Sequence, residues 1–410
     1  MNEHVLTDRN PVSKHPQQSG RPPFERIALL LQGGGALGAY QAGVYQGLAE
    51  AGLHPDWTAG ISIGAINAAL IAGNPPEDRV AKLRQFWELV TSTDLHWQFP
   101  PSSTADGNDT ISTLLAQFDP SKGDVVRALS NQWSAARALC LGAPGFFMPR
   151  LLTPWLWPHG STEATSYYDT RPLKATLERL VDFDRINSGA MRFSVGAVNV
   201  RTGNFVYFDT ATHRIGPEHV MASGALPPGF PAVEIDGEHY WDGGLVSNTP
   251  LSWVVDNLPH RDTLAFQVDL WSAQGELPRK MAQIQARQKE IQYSSRTRAE
   301  LNRFREIQFL RGALSRLIEK LPAELAASPE VDILRPASEP KVWNLVQLGY
   351  YSKKYEDDTK DYEFSRRSME DHWQAGYHDT IRTLRHPEVL ERPRSPDGVF
   401  TFDIAEQGRA

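Results

Sequence analysis

The stretch IALLLQGGGALGAYQAGVYQGLAEAG, Ile27 to Gly52, decides how this 410-residue chain is read. Ile27 to Gln32 is an apolar run without polar alternation, the pattern of a strand buried on both faces. Gly33-Gly34-Gly35-Ala36-Leu37-Gly38 follows at once. Ala39 to Ala51 is then rich in helix formers and stops at Gly52, the residue type that ends helices in the left-handed conformation. The unit is strand, glycine turn, helix. It repeats directly: Trp57 to Ile61 reads as a short strand, Ser62 lies on the turn, and Ile63 to Ala72 reads as a helix closed by Gly73 and Asn74-Pro75-Pro76. Two such units in succession predict an α/β fold with a mainly parallel central sheet flanked by helices.

The second turn, Gly60-Ile61-Ser62-Ile63-Gly64, is a G-x-S-x-G between strand and helix. Such a turn is too tight for a side chain at the glycine positions Gly60 and Gly64, and it exposes the serine hydroxyl at a helix N-terminus. The three-glycine turn one strand earlier suits the complementary task. With no Cβ in the way, the backbone N–H groups of Gly33, Gly34, Gly35 and Ala36 can approach a carbonyl oxygen that becomes negative on attack. The competing reading is a dinucleotide fingerprint, since Gly33, Gly35 and Gly38 also satisfy G-x-G-x-x-G. That reading wants an acid at the end of the second strand; Asp56 precedes the strand, and its end is taken by the serine turn.

Two further blocks matter: Ala222-Ser223-Gly224-Ala225-Leu226-Pro227 with Phe230-Pro231, and Asp242-Gly243-Gly244-Leu245-Val246-Ser247-Asn248-Thr249-Pro250. Together with GGGALGAYQAGV and GISIGAINA, in this order, they resemble the patatin-like phospholipase family over roughly Ile27 to Leu270. The resemblance implies a three-layer fold and a dyad without histidine, in which Ser62 is the nucleophile and Asp242 its base. It also implies a supporting loop at Gly243, Gly244 and Asn248, a lipid or other acyl-ester substrate, and no cofactor or metal. One departure is Leu37, where the family commonly carries Arg or Lys. Its absence removes a positive charge that would favour a phosphate-bearing substrate.

The chain has 40% hydrophobic residues, enough for a large core, and a net charge of −7, which gives no basis for a nucleic-acid partner. Cys140 is the only cysteine, so no intramolecular disulfide forms, which fits a reducing, cytoplasmic setting. Residues 1–25 contain no apolar run, and no window approaches a spanning helix. The expected organisation is a tail over 1–24, a catalytic domain over 25–275 with an insertion at about 91–168, and a mostly helical C-terminal extension over 276–410.

Glu77 to Val90 is amphipathic with helical spacing. Residues 99–103 and 106–109 are loop-like, and the irregular apolar stretch Leu139 to Pro158 has two readings: a satellite core under a long loop, or a lid or patch in transient contact with a membrane surface. Arg171 to Val181 is a helix, Met191 to Val200 and Asn204 to Phe208 are paired strands, and a hairpin turning at Asp236-Gly237 delivers Asp242 to a loop. Leu251 to Leu258 is a helix and Thr263 to Leu270 a buried strand. Pro278 to about Leu321 reads as one long charged helix, interrupted at most around Ser294-Ser295, Val342 to Leu348 as a final strand, and Phe364 to Leu384 as a helix. The segment from about 290 to 400 resembles the C-terminal extension of a bacterial subgroup of patatin-like proteins, and it is either a solvated helical cover or a partner-binding or oligomer surface. Twelve histidines are scattered; His239, three residues before Asp242, is the one with any claim to be a triad base. The functional alternatives are a nucleotide-binding redox protein and a non-catalytic interaction protein that keeps the fold.

Overall fold

The computed structural model describes residues 20–92, 124–257, 259–338, 341–353, 356, 358–393 and 399–402. The tail expected up to residue 19 and the loop-like residues 99–109 lie outside them. The first two strands, β1 (Arg26–Leu31) and β2 (Trp57–Ile61), are buried at every position. They pair in parallel, with Leu31 opposite Gly60. The two short strands β3 (Met148–Pro149) and β4 (Tyr168–Asp169) form a separate ladder in the insertion. The remaining strands are β5 (Arg192–Asn199), β6 (Phe205–Asp209), β7 (Val233–Ile235), β8 (Glu238–Asp242), β9 (Thr263–Asp269), β10 (Trp343–Gly349) and β11 (Val399–Phe402).

Nine strands make one sheet. Six of them, in the order β11-β10-β9-β1-β2-β5, are parallel. β6 and β8 both run antiparallel to β5. β2 pairs with Arg192 to Gly196 while β6 covers Ser194 to Val198, so these two lie on opposite edges of β5. β8 pairs with Ala197 to Asn199, also opposite β6. It therefore continues along the edge that β2 vacates, and Asp242 faces Ala197 just beyond the point where Ile61 faces Gly196.

The pleat sorts β1 into two cores. Ile27, Leu29 and Leu31 pack with α1 (Ala39–Glu50), α2 (Ile63–Ala72), α3 (Arg79–Val90) and the helix Arg366–Leu384. Ala28 and Leu30 pack on the other face with Leu251 and Val254 of the helix Leu251–Asp256 and with Leu301 and Phe304 of the long helix Met281–Ile318. The result is three layers, helix on sheet on helix. That long helix runs unbroken through Ser294-Ser295. The helix Asp124–Leu141 in the insertion was not expected from the sequence.

The C-terminal segment is largely helical, yet it also completes the sheet. β10 lies beside β9 from Trp343 opposite Thr263 to Gly349 opposite Asp269, and β11 adds the edge. Among the described residues, no helix is long and apolar enough to cross a membrane.

Candidate active site

The glycine turn after β1 and the serine turn after β2 emerge side by side at the carboxyl ends of parallel strands, where α/β sheets place their sites. Ser62 holds φ 55, ψ −124, a conformation that side-chain-bearing residues avoid; such a backbone costs on the order of 1–3 kcal/mol and persists only when its surroundings impose it. They do. A Cβ on Gly60 would lie 2.3 Å from the carbonyl carbon of Gly64, and one on Gly64 would lie 2.2 Å from the carbonyl oxygen of Leu31. Ser62 N–H donates to Ser223 Oγ at 3.0 Å, and Ser223 Oγ donates in turn to Gly196 O at 2.6 Å. This buried serine anchors the turn from outside the motif. Sequence reasoning gave it no role.

Ser62 Oγ donates to Asp242 Oδ2 at 2.7 Å, and the other carboxylate oxygen accepts Gly244 N–H at 2.7 Å. Gly243 is the tight point between them: a Cβ there would meet Gly196 O at 2.6 Å. Asp242 is 3% exposed. Burial pushes its carboxyl up to about 6, against the opposing pull of the Ser62 and Gly244 hydrogen bonds. No histidine lines the cavity among the described residues. His239 is exposed on β8.

The glycine turn is pinned from several sides. Gly33 O accepts Asn248 Nδ2 at 3.0 Å and Trp271 Nε1 at 2.9 Å. Buried Gln32, directly before it, accepts the N–H groups of Leu270 and Trp271 on Oε1 at 2.6 and 3.0 Å. Of the four N–H groups that the sequence reading assigns to oxyanion binding, two are already committed. Gly33 N–H donates to Asn248 O at 3.2 Å, and Ala36 N–H to Asp361 O at 2.8 Å. Gly34 and Gly35 N–H have no acceptor among the described residues. They cap the short 3-10 turn Gly35–Gly38 that leads into α1, so helix-terminal partial positive charge faces the same space as the N-terminus of α2.

Ser62, Asp242, Gly244, Asn248, Trp271 and the three glycines Gly33, Gly34 and Gly35 border one cavity of about 300 Å³. Its apolar wall brings together Phe146, Phe147, Phe230 and Phe364, with ring centroids 5.2 Å apart for Phe147 and Phe230 and 5.9 Å for Phe146 and Phe364. The insertion is thereby divided. Phe146 and Phe147 are buried in the wall, whereas Leu151, Trp155 and Leu156 are 99%, 84% and 69% exposed. Tyr293, Asp361, Tyr362 and Phe364 close the cavity from the C-terminal segment. Burial, reinforced by the charge of Asp242, pushes the Tyr293 phenol up to about 12.

The dinucleotide reading loses its remaining support here. Asp56 accepts Ile27 N–H at 2.7 Å, which places it at the opposite, amino end of the strands from the glycine turn. Gly38 serves packing, since a Cβ on it would meet Ile63 Cγ1 at 2.5 Å.

A family model described as patatin-like phospholipase matches residues 29–254, more than half of the chain. The chain belongs to the patatin-like phospholipase family. A second model, described as patatin phospholipase, matches residues 291–396, the segment that closes the cavity. Among curated relatives, patatin-like phospholipase domain-containing protein 7 of Rattus norvegicus is 38% identical over 96 residues, 22% of this chain and 7% of that protein. An uncharacterized NTE family protein of Mycobacterium bovis is 40% identical over 84 residues, 18% of this chain and 14% of that protein. The matched stretches are thus a small part of those relatives. Among solved structures, VipD from Legionella pneumophila aligns over 98% of this chain and 78% of its own at 13% identity, with a TM-score of 0.37. This patatin-like chain carries its serine and aspartate blocks within the span of the first model, and Tyr293 and Asp361 within the second.

Proposed function

We propose that the protein is a serine acyl hydrolase that cleaves carboxylic esters of lipids. The observation that carries this reading is the 2.7 Å hydrogen bond from Ser62 to Asp242 beside the N–H groups of Gly34 and Gly35, which are uncommitted among the described residues. As Ser62 Oγ bonds to the ester carbon, its proton passes to Asp242 and the carbonyl π pair collects on oxygen, facing those two N–H groups. Collapse expels the alcohol with the proton from Asp242, and water repeats the sequence to free the acid. A carboxylate with a pKa about 6 is a better base than an ordinary one. Each oxyanion donor contributes about 3 kcal/mol, so two of them offset much of the remaining weakness.

The phenylalanine wall receives the acyl chain. No Lys or Arg lines the cavity among the described residues, and Leu37 is fully buried elsewhere. The cavity thus recognises the acyl group and leaves any head group outside. Leu139 and Leu226 border the cavity and are themselves exposed, so the rim is continuous with apolar surface. Lipid aggregates are the substrate form that such a rim fits.

Labelling with a fluorophosphonate followed by peptide mapping tests the assignment. Ser62 is expected to carry the label and Ser62→Ala to remove both label and ester hydrolysis. Labelling unchanged in Ser62→Ala would sink the nucleophile, and a folded protein that neither labels nor hydrolyses would be the non-catalytic interaction protein.

A further inference from the structure

We propose that Asp361, held by Lys289, positions the oxyanion turn, so that the C-terminal segment sets the geometry of the reaction. This rests on the acyl-hydrolase reading of Ser62 and the glycine turn. Ala36 N–H donates to the main-chain carbonyl of Asp361 at 2.8 Å. The approach is close: Gly35 holds φ +56, and a Cβ on it would lie 2.0 Å from the same carbonyl oxygen. That contact is made between residues 325 positions apart in the chain, and it falls at the turn whose Gly34 and Gly35 N–H groups have no acceptor among the described residues.

The carbonyl is itself held. Lys289 Nζ, on the long helix Met281–Ile318, donates to both carboxylate oxygens of Asp361 at 2.8 and 3.0 Å and to Asp358 O at 2.8 Å. Tyr293, one turn further along that helix, lines the cavity together with Asp361. The ion pair thus ties the helix to the loop, and the loop carbonyl to the turn. A turn displaced by about 1 Å no longer meets the developing oxyanion, and such misplacement costs on the order of 100-fold in rate. Ground-state substrate, held by the phenylalanine wall, is indifferent to it. Asp361 and Lys289 are therefore positioning residues, and their loss falls on kcat.

The test uses the full chain, a short soluble ester and two inhibitors of equal chain length. One is a trifluoromethyl ketone, which Ser62 Oγ attacks to give a tetrahedral oxyanion; the other is an alcohol, which only fills the cavity. Removing one charge alone leaves the other half-buried without its ionic partner, so the double variant Lys289→Met with Asp361→Asn is compared with Asp361→Asn. The expected result in both is a kcat lower by about 10- to 100-fold with KM within about twofold. The trifluoromethyl ketone should weaken by the same factor and the alcohol should not. A folded double variant with kcat within about twofold of wild type overturns the proposal, as does a loss shared equally by kcat, KM and both inhibitors. Failure of the underlying reading looks different: wild type and Ser62→Ala would then hydrolyse the ester equally.

Discussion

Asp242 is kept in a place that a carboxylate resists, and that tension has a measurable signature. Burial raises its folded pKa to about 6, so the native state holds the proton more tightly than the unfolded chain does. Stability contributed by this site is present at low pH and is lost as pH rises toward and past 6. Asp242→Asn is accordingly expected to raise the unfolding free energy at pH 8 by as much as about 3 kcal/mol and to change little at pH 4. The same change should lower kcat by about 10²- to 10⁴-fold. For wild type, kcat/KM should fall on an acid limb near pH 6, and His239→Ala should leave that limb in place. Near-normal turnover in Asp242→Asn would remove Asp242 from the chemistry. Ser62 and Asp242 are legible in the sequence because each sits in a short contiguous pattern of glycines that the backbone itself requires. Ser223 and Asp361 are not, because one acts through a hydroxyl and the other through a main-chain carbonyl, and each reaches its partner across a long stretch of chain.

The elements show where pattern reading works and where it stops. β1 and β2 were visible because strands buried on both faces need no alternation, only a run. The helix Arg366–Leu384 was also visible as a helix, but its partner was not. It lies against α1 through glycines: a Cβ on Gly43 would meet Trp373 O at 1.9 Å, and one on Gly376 would meet Tyr40 O at 2.0 Å. Backbones this close exclude any side chain, so Gly376→Val is expected to destabilise by about 1–3 kcal/mol, read as a lower urea midpoint. An unchanged midpoint would mean that the two helices do not touch there. Small residues in a helix carry no periodic signal, so the contact had no signature. The helix Asp124–Leu141 was obscured by its neighbours, since the irregular apolar run beginning at Leu139 overlaps its end. β11 contributes four residues, too few for a pattern.

At the scale of the molecule, the 276–410 segment belongs to the sheet and the cavity together. It supplies β10, β11 and the cavity wall from Asp361 to Phe364. The insertion supplies Phe146 and Phe147, which meet Phe364 in that wall, and then turns Leu151, Trp155 and Leu156 outward. Replacing Leu151 and Trp155 by Ser should reduce hydrolysis of zwitterionic vesicles by on the order of 10-fold while a short soluble ester is turned over at the wild-type rate, since only the former needs surface contact. Equal losses on both substrates would assign these side chains to folding. The shared edge of β5 has a different kind of consequence. Because β2 and β8 pair with successive stretches of one edge of β5, the segments that carry Ser62 and Asp242 belong to a single cooperative sheet, and parting them requires breaking one of its ladders. Turnover is then a readout of global unfolding: in a urea titration, hydrolysis of a soluble ester should fall to half at the midpoint of the far-ultraviolet circular dichroism transition and follow that transition throughout, with no inactive folded state preceding it.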